Sequence, residues 1–500
     1  MSYAAMKTFR ILLALLALAA SPLLAQDSGY KGVQRSPGSI DLSGMPAKGL
    51  AELSCKWDLW PNRFVDPAVA AKGAAPYEAT VPSHWDSLGI PGLVSTGYAT
   101  YHLQVLGLPR DRILGLRIRS PLSAARVFVD GAQVLSIGQP SSDPATDRPR
   151  WDSQIVVLGP RQSDRLDLVI HVSNYVDFSG GLNTPLVLGD YKAIMATRTD
   201  LITLEMMEVG ALAIVGFYSL LLFSFRPSEL YSLFFGLLAF IFAFRTLCYD
   251  EFLLLFLFPQ LPFEALFRSS YLTFSLPFFL LAAFFRSLFP RFFPAWLLLA
   301  FSAFSFAYSA FIVFAPMHSV ALSLATTLKL ALLALLIAII VLVRALVARS
   351  PGSVLLLVGF AVFALSAMND ILMVGGSIHG IYVVPFGTIL FFLTLSVMIT
   401  RNSAIAMRTR MIVMVDREKP RLVLSEKGLS AAEIAYSMAL LAGRNVKTIA
   451  ADFEVSESTV RNSLARAYAK LQVQSMSSFL SLASKYEVLA QASPESAQGA

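Results

Sequence analysis

Charge and cysteine are scarce in this 500-residue chain: 15% of it is Asp, Glu, Lys or Arg, and it holds 2 cysteines. A water-soluble chain carries roughly 25% charged residues, so a fold solvated wholly by water is excluded. Intrinsic disorder is excluded too, because it needs low hydrophobicity. Two thiols, Cys55 and Cys248, cannot build a disulfide scaffold. Cys55 lies in a polar stretch and Cys248 in an apolar one, and neither reads as a metal or redox ligand. What the chain has instead is apolar sequence, 56% by count, with long blocks after residue 205. Its formal charge of +7, from 40 Lys and Arg against 33 Asp and Glu, is a small excess whose placement matters more than its size.

Residues 1–25 read as an export signal. Lys7 and Arg10 precede the apolar run Ile11 to Ala20, and the small residues Ala20, Ser21 and Ala25 follow. The run is too short to span a bilayer, which takes about 20 apolar residues. Cleavage near Ala25 is the favoured reading, with retention as an uncleaved anchor the alternative. No cysteine follows the run, so a lipoprotein anchor is unsupported. On either reading the next segment is exported.

Residues 26–195 form a polar β domain. Short alternating runs recur at Tyr101 to Val105, Leu114 to Ile118, Arg126 to Val129, Ala132 to Leu135 and Arg165 to Val172. Asp130-Gly131 between the third and fourth predicts a hairpin. Many short strands without a long helical period indicate a sandwich. Its acids, Asp130, Asp143, Asp147, Asp152, Asp164, Asp167 and Asp177, fall mainly in turns and loops and read as solvated. No carboxylate pair or nucleophile constellation suggests catalysis, so no enzyme is expected.

Leu53 to Leu59 with Trp57, Val81 to Trp85, Gly97 to Tyr101, Val127 to Gly131, Ile137-Gly138 and Val172 to Asn174 together resemble the galactose-binding-type jelly roll that fronts many glycosidases. The same domain is similar to the extracellular sensory modules of a bacterial receptor family. The resemblance implies a small ligand, with a carbohydrate the candidate. Trp85, Tyr98, Tyr101 and Trp151 would stack on a sugar face with Asn174 as polar partner; the competing reading makes these aromatics core.

Residues 200–402 contain seven apolar blocks of spanning length, at 206–225, 230–249, 266–285, 294–314, 320–343, 353–374 and 382–400. The run Phe252 to Phe258 is too short and is followed by Pro259 and Pro262, which leaves it in an outer loop. Positive loops stay in the cytoplasm. With the sandwich outside, the inner loops carry Arg226, Arg286, Arg291, Arg344, Arg349, Arg401, Arg408 and Arg410. The outer loops carry Asp250, Glu251, Glu264, His318 and His379, with Arg268 the one exception. Ionisable residues within spans are expensive and tend to face a bundle interior. Glu205, Glu208, Arg245, Lys329, Asn369 and Asp370 all fall in the outer half and suggest a polar hub beneath the sandwich, against the alternative that the long side chains snorkel to the headgroups. Met368 to Leu372, Pro385 to Gly387, Arg268 to Leu272 with Pro277, and Leu288 to Pro290 resemble bacterial seven-transmembrane receptors with diverse intracellular signalling modules.

After a linker at 403–424 the sequence turns soluble. Leu429 to Ala442 is an apolar-periodic helix stopped by Gly443, Val446 to Phe453 a second, Glu454-Val455 a tight turn, and Ser456 the N-cap of a third that reaches about Leu471. That is helix-turn-helix geometry, with Ile449, Phe453, Val455, Val460, Leu464 and Leu471 as its small core. Lys447 to Ala450, Val455 to Arg461, Leu464 and Lys470 to Val473 resemble the LuxR-type DNA-binding domain; the resemblance runs from about Leu429 to Tyr486, within a domain at 425–490. Gln472, Ser463 and Ala435 depart from that family's usual residues. The resemblance implies that Lys447, Thr459, Arg461 and Lys470 hold phosphates while Ser458, Arg461, Asn462 and Ala465 face the bases. Residues 421–490 carry 8 Lys and Arg against 6 Asp and Glu, a mild excess that favours a homodimer on paired half-sites. A helical bundle that contacts only proteins is the competing reading. Residues 491–500 read as a disordered tail.

The parts predict a multidomain protein of a bacterial inner membrane: an exported jelly-roll β-sandwich, a seven-helix transmembrane bundle in contact with lipid, and an all-α helix-turn-helix domain that binds double-stranded DNA. The expected function is a one-component regulator with no cofactor and no metal. The alternative is a seven-helix transporter or channel whose last domain is an interaction module, although no internal repeat supports it.

Overall fold

The computed structural model describes residues 34–400 and 421–479, apart from positions 47, 120–122, 179, 250, 351, 375–382, 422–423, 442 and 477. The export signal at 1–25, most of the linker, the tail at 491–500, and Asp250 and His379 lie outside the described residues. Contacts divide the chain into a unit ending at Met398 and another beginning at Ile399.

The first unit starts with a two-sheet sandwich. Strands β1 (Gln34–Ser36), β2 (Ser39–Asp41), β3 (Leu50–Glu52), β4 (Lys56–Pro61), β5 (Tyr77–Thr80), β6 (Gly97–Leu106), β7 (Leu114–Ile118), β8 (Ala124–Val129), β9 (Ala132–Ile137), β10 (Gln154–Leu158), β11 (Leu166–Asn174) and β12 (Val187–Asp190) make it up. One sheet runs β1-β2-β6-β11-β8-β9, with β4 also against β6 and β5 against β4; the other runs β10-β7-β12-β3. Strand alternation builds the core between them. The antiparallel register sets Tyr101 opposite Ile170 and Leu103 opposite Leu168, while the facing sheet turns Leu114, Leu116 and Ile118 inward beside Leu188. The β8–β9 hairpin closes through Asp130 and Gly131, both at positive φ (49° and 83°), the conformation a two-residue primed turn needs.

The outward face of the second sheet carries Gly115 and Arg117. At Gly115 a Cβ would stand 3.1 Å from the Ile194 side chain, so the missing side chain lets a helix lie directly on β7. That helix, α1 (Tyr191–Phe225), has 35 residues and is about 52 Å long. It begins immediately after β12, with the Asp190 carboxylate accepting from the Ala193 N–H at 3.0 Å. The apolar block expected at 206–225 is therefore only its second half, and its first half is a rigid continuation of the sandwich.

The other helices are α2 (Leu230–Cys248), α3 (Phe263–Leu288), α4 (Ala295–Phe314), α5 (Leu324–Val347), α6 (Ser353–Val374) and α7 (Val384–Thr400). Among the described residues six helices are long and apolar enough to cross a bilayer, and α7 adds a seventh, shorter apolar segment. Small residues set the close crossings. A Cβ at Gly236 of α2 would lie 3.1 Å from the Gly216 carbonyl of α1. Ser275 and Ser309 share a 2.8 Å hydrogen bond, and Ser275 and Ser305 each donate to the other's carbonyl, tying α3 to α4.

The second unit contains α8 (Ala431–Leu441), α9 (Val446–Asp452) and α10 (Glu457–Lys470). A capping box opens α8: Ser430 donates its N–H to Glu433 at 2.8 Å and receives the Glu433 N–H at 3.3 Å. Gly443 (φ 79°) ends it, Asn445 caps α9, and Ser456 caps α10. Ile449, Val460, Leu464 and Ala467 are buried at the centre of this unit.

Candidate functional site

The residues expected to stack on a sugar do not form an exposed platform. Trp85 and Tyr101 are fully buried and bonded to each other, Nε1 to the phenol oxygen at 2.7 Å, so both belong to the sandwich core. Asn174 is buried as a loop clamp, donating to the Ser95 and Asp177 carbonyls and accepting from the Val176 and Asp177 N–H groups. Trp151 is buried against Phe252, Phe263 and Phe267 at 5.5–6.1 Å. Tyr98 alone keeps partial exposure, packed on Phe64 at 4.9 Å.

Three of the acids read as solvated are held differently. His102 lies between Asp58 at 3.1 Å and Asp167 at 3.2 Å, both on strands of the first sheet. Asp147 is buried and receives the Ser173 hydroxyl at 2.5 Å. Asp177 is buried where the sandwich meets the bundle; burial pushes its carboxyl up to about 7, against a smaller opposite pull from the Phe178 N–H at 2.8 Å.

That meeting place holds a buried charge cluster. Glu251, in the α2–α3 loop, is buried and receives Arg198 Nε of α1 at 2.8 Å together with a guanidinium nitrogen of Arg117 on β7. Arg198 also donates to the Ser153 carbonyl at 2.9 Å. One carboxylate therefore joins the sandwich, the first helix and the loop. Beside it the apolar run Phe252 to Phe258 folds into a short helix at Leu253–Leu257. Its first residue, Phe252, is left-handed (φ 53°) and lies against Trp151, while His318 stands 3.3 Å from the Val176 carbonyl. The loop expected to be a mere connector is the seat of the sandwich.

The residues of the expected polar hub differ in burial and in the partners they engage. Glu208 is buried, Glu205 half-buried and Lys329 exposed. Arg245 lies over the rings of Phe274 (3.8 Å) and Tyr249 (4.6 Å) and donates weakly to Thr273 at 3.4 Å. Asp370 accepts from the Val383 and Val384 N–H groups at 2.9 and 3.1 Å and from Asn369 at 2.9 Å, so it caps the start of α7. Two backbone N–H groups thus hold Asp370 at the start of α7, while Arg245 rests on aromatic rings.

In the second unit, α10 turns Val460, Ser463, Leu464 and Ala467 inward and presents Ser458, Arg461, Asn462 and Ala465 outward in one stripe. Among the described residues Arg461 is held by the exposed Glu457 at 3.3 Å. Lys447 and Thr459 are exposed as well, the latter bonded to Ser456 at 2.7 Å. Lys470 differs: its ammonium donates to Glu433 at 2.8 Å and to the Gly428 carbonyl at 3.0 Å, so it is engaged within the fold rather than extended for a phosphate. The Lys470 and Ser430 hydrogen bonds hold the Glu433 carboxyl below its ordinary range.

Residues 202–402 match the family model described as 7TM diverse intracellular signalling. Residues 438–483 match the model for bacterial regulatory proteins of the LuxR family. The chain therefore carries a seven-transmembrane signalling region joined to a LuxR-type helix-turn-helix domain. No curated protein matches it. Among solved structures it is similar to a GH2 β-galacturonidase from Eisenbergiella tayi bound to galacturonate (19% identity, 28% of this chain and 24% of that chain, TM-score 0.21). It is similar also to a Faecalibacterium prausnitzii β-glucuronidase (14%, 28% and 31%, TM-score 0.22) and to the Ruminococcus gnavus β-glucuronidase (15%, 28% and 28%, TM-score 0.21). The chain spans about a quarter of the length of the β-galacturonidase.

Sequence reasoning passed over Arg117 and Arg198, and took Glu251 only as an outer-loop charge. Each reads alone as a solvated charge. The available signal was positional: Arg117 interrupts the apolar run Leu114 to Ile118, and Glu251 directly precedes an apolar run too short to span.

Proposed function

We propose that this chain is a one-component membrane signal transducer in which the sandwich receives a small extracytoplasmic ligand, the bundle relays its state, and paired helix-turn-helix domains bind double-stranded DNA as a homodimer. The observation that carries this reading is the outward stripe of α10, Ser458, Arg461, Asn462 and Ala465, on a helix whose other face is packed into a three-helix core. Such a helix fits the major groove, where base edges are read, and two copies on half-sites about 34 Å apart gain avidity.

Coupling is supported at the other end of the chain. The helix α1 leaves β12 without a break, and Glu251 binds sandwich and helix together, so a change in the sandwich is felt as a tilt or displacement of α1. A ligand that favours one packing by about 1.4 kcal/mol shifts the population ratio tenfold. A sugar platform made of Trp85, Tyr101, Trp151 and Asn174 is not part of this proposal, since all four are buried.

The orientation we propose puts the sandwich outside the inner membrane and the LuxR-type domain in the cytoplasm. Arg226, Arg286, Arg291, Arg344 and Arg349 follow α1, α3 and α5 or close their last turns, at the ends away from the sandwich, which agrees with retention of positive loops. Alkaline phosphatase fused after Ala500 is expected to be inactive; activity would overturn the orientation. Genome-wide mapping of occupancy by the full chain is expected to give discrete promoters in wild type and none in Arg461→Ala. Occupancy absent from wild type, with solute uptake dependent on the protein, would replace this reading with the transporter one.

A further inference from the structure

The seat of the sandwich contains more hydrogen-bond donors than acceptors. Arg117 Nε, Trp151 Nε1 and the Ser153 hydroxyl are buried without a hydrogen-bond partner among the described residues. All three side chains are more than nine-tenths buried. An unmet buried donor costs about 1–3 kcal/mol, and native folds leave few of them. Three in one place call for an occupant.

Connectivity brings them together. Ile155 pairs with Arg117 across β10 and β7, and Trp151 and Ser153 lie in the three residues that lead into β10. Arg198 links them further, bonding the Ser153 carbonyl at 2.9 Å and Glu251 at 2.8 Å, while Glu251 holds one terminal nitrogen of the Arg117 guanidinium. Trp151 closes the cluster by packing on Phe252, the residue after Glu251. Two guanidiniums share this one carboxylate, which leaves a positive excess in a water-poor setting. Water accepts two hydrogen bonds and brings no charge; an anion answers both the donor surplus and the charge.

We propose that the junction between sandwich and bundle is an anion-binding site, in which a carboxylate group or a small inorganic anion accepts hydrogen bonds from Arg117 Nε, Trp151 Nε1 and Ser153 Oγ. That its occupant is also the sensed ligand rests on the sensor reading above; the binding itself does not.

The test uses the full chain in detergent, melted across titrations of sodium chloride, sodium acetate and sodium phosphate. Two variants each remove a donor and keep the packing: Trp151→Phe retains an aromatic ring, and Arg117→Lys retains the charge on Glu251. In wild type, the melting temperature is expected to rise saturably with at least one anion, as binding to the folded state requires. In each variant the half-saturating concentration is expected to increase about tenfold, equivalent to about 1.4 kcal/mol. Chloride, acetate and phosphate arms separate a halide, a carboxylate and a phosphate as occupant. Parallel, unsaturated rises in wild type and both variants would mean that water fills the site, and the proposal would be overturned. Promoter occupancy, measured separately, tests the sensor reading, so either can fail without the other.

Discussion

Arg117 of β7 and Glu251 of the α2–α3 loop, 134 residues apart, form an ion pair in which each side chain is less than a tenth exposed. A pair of this kind gains little over an apolar contact, because both charges lose their hydration, yet breaking it from one side strands a buried charge. Its benefit here is specificity: of all the ways a sandwich can rest on a bundle, the pair selects one.

Glu251→Gln is therefore expected to destabilise the junction by about 3–5 kcal/mol, since it leaves Arg117 and Arg198 without their shared carboxylate. Amide exchange is the suitable readout. Protection should fall in β7, β10 and the first turns of α1 while α3 and α4 keep theirs. Uniform loss of protection, or none, contradicts a joint that holds the sandwich locally.

Asp177 makes the same region sensitive to pH. Burial raises its carboxyl to about 7 in the folded chain, against an ordinary value of 3.8. The folded state thus binds the proton more tightly than the unfolded one. Its contribution is fully present below about pH 4 and is lost as pH rises through 7, at up to about 1.4 kcal/mol per pH unit. Wild type should melt at a higher temperature at pH 5 than at pH 7.5 by more than Asp177→Asn does, because Asn still accepts from Phe178 and never ionises. Identical pH profiles for the two proteins would rule this out.

In the LuxR-type domain, Arg461 and Lys470 are expected to separate by readout. Arg461→Ala removes an outward cation and should weaken operator binding while lowering the salt slope by about 1. Lys470→Ala removes a partner of Glu433 and should mainly lower folding stability, by no more than about 1 kcal/mol because the lysine is part-exposed, read as a lower melting temperature. A salt slope reduced equally by both would restore the phosphate contact that the resemblance implied for Lys470.

The seven helices were legible because a bilayer dictates about 20 apolar residues, and such blocks survive any tertiary context. Asp130-Gly131 and Ser456 were legible for a similar reason: a primed turn and an N-cap are local, and few residue types satisfy them. The junction was not. An Arg on the outward face of a strand reads as solvated, and that face is covered by the polar first half of α1, which has no apolar block to announce it, and by Glu251 of a loop. Trp85 and Tyr101 failed in the opposite sense, since an aromatic has the same sequence pattern in a core as on a binding surface.

Asp370 offers a last separation, between a cap and a hub. Both of its oxygens accept backbone N–H groups at the start of α7, at 2.9 and 3.1 Å, whereas Arg245 rests on the Phe274 and Tyr249 rings. Asp370→Leu should cost about 0.5–2 kcal/mol, the value of a helix cap, and Asp370→Asn less, because the amide keeps one acceptor. If the two residues act independently, the double variant Asp370→Leu with Arg245→Met should lose the sum of the single losses within about 0.5 kcal/mol. A larger coupling energy in detergent unfolding would mean that the two charges do communicate and that the polar hub exists. Additivity leaves α7 fastened by its own cap, with the sandwich answering to the bundle through Glu251 instead.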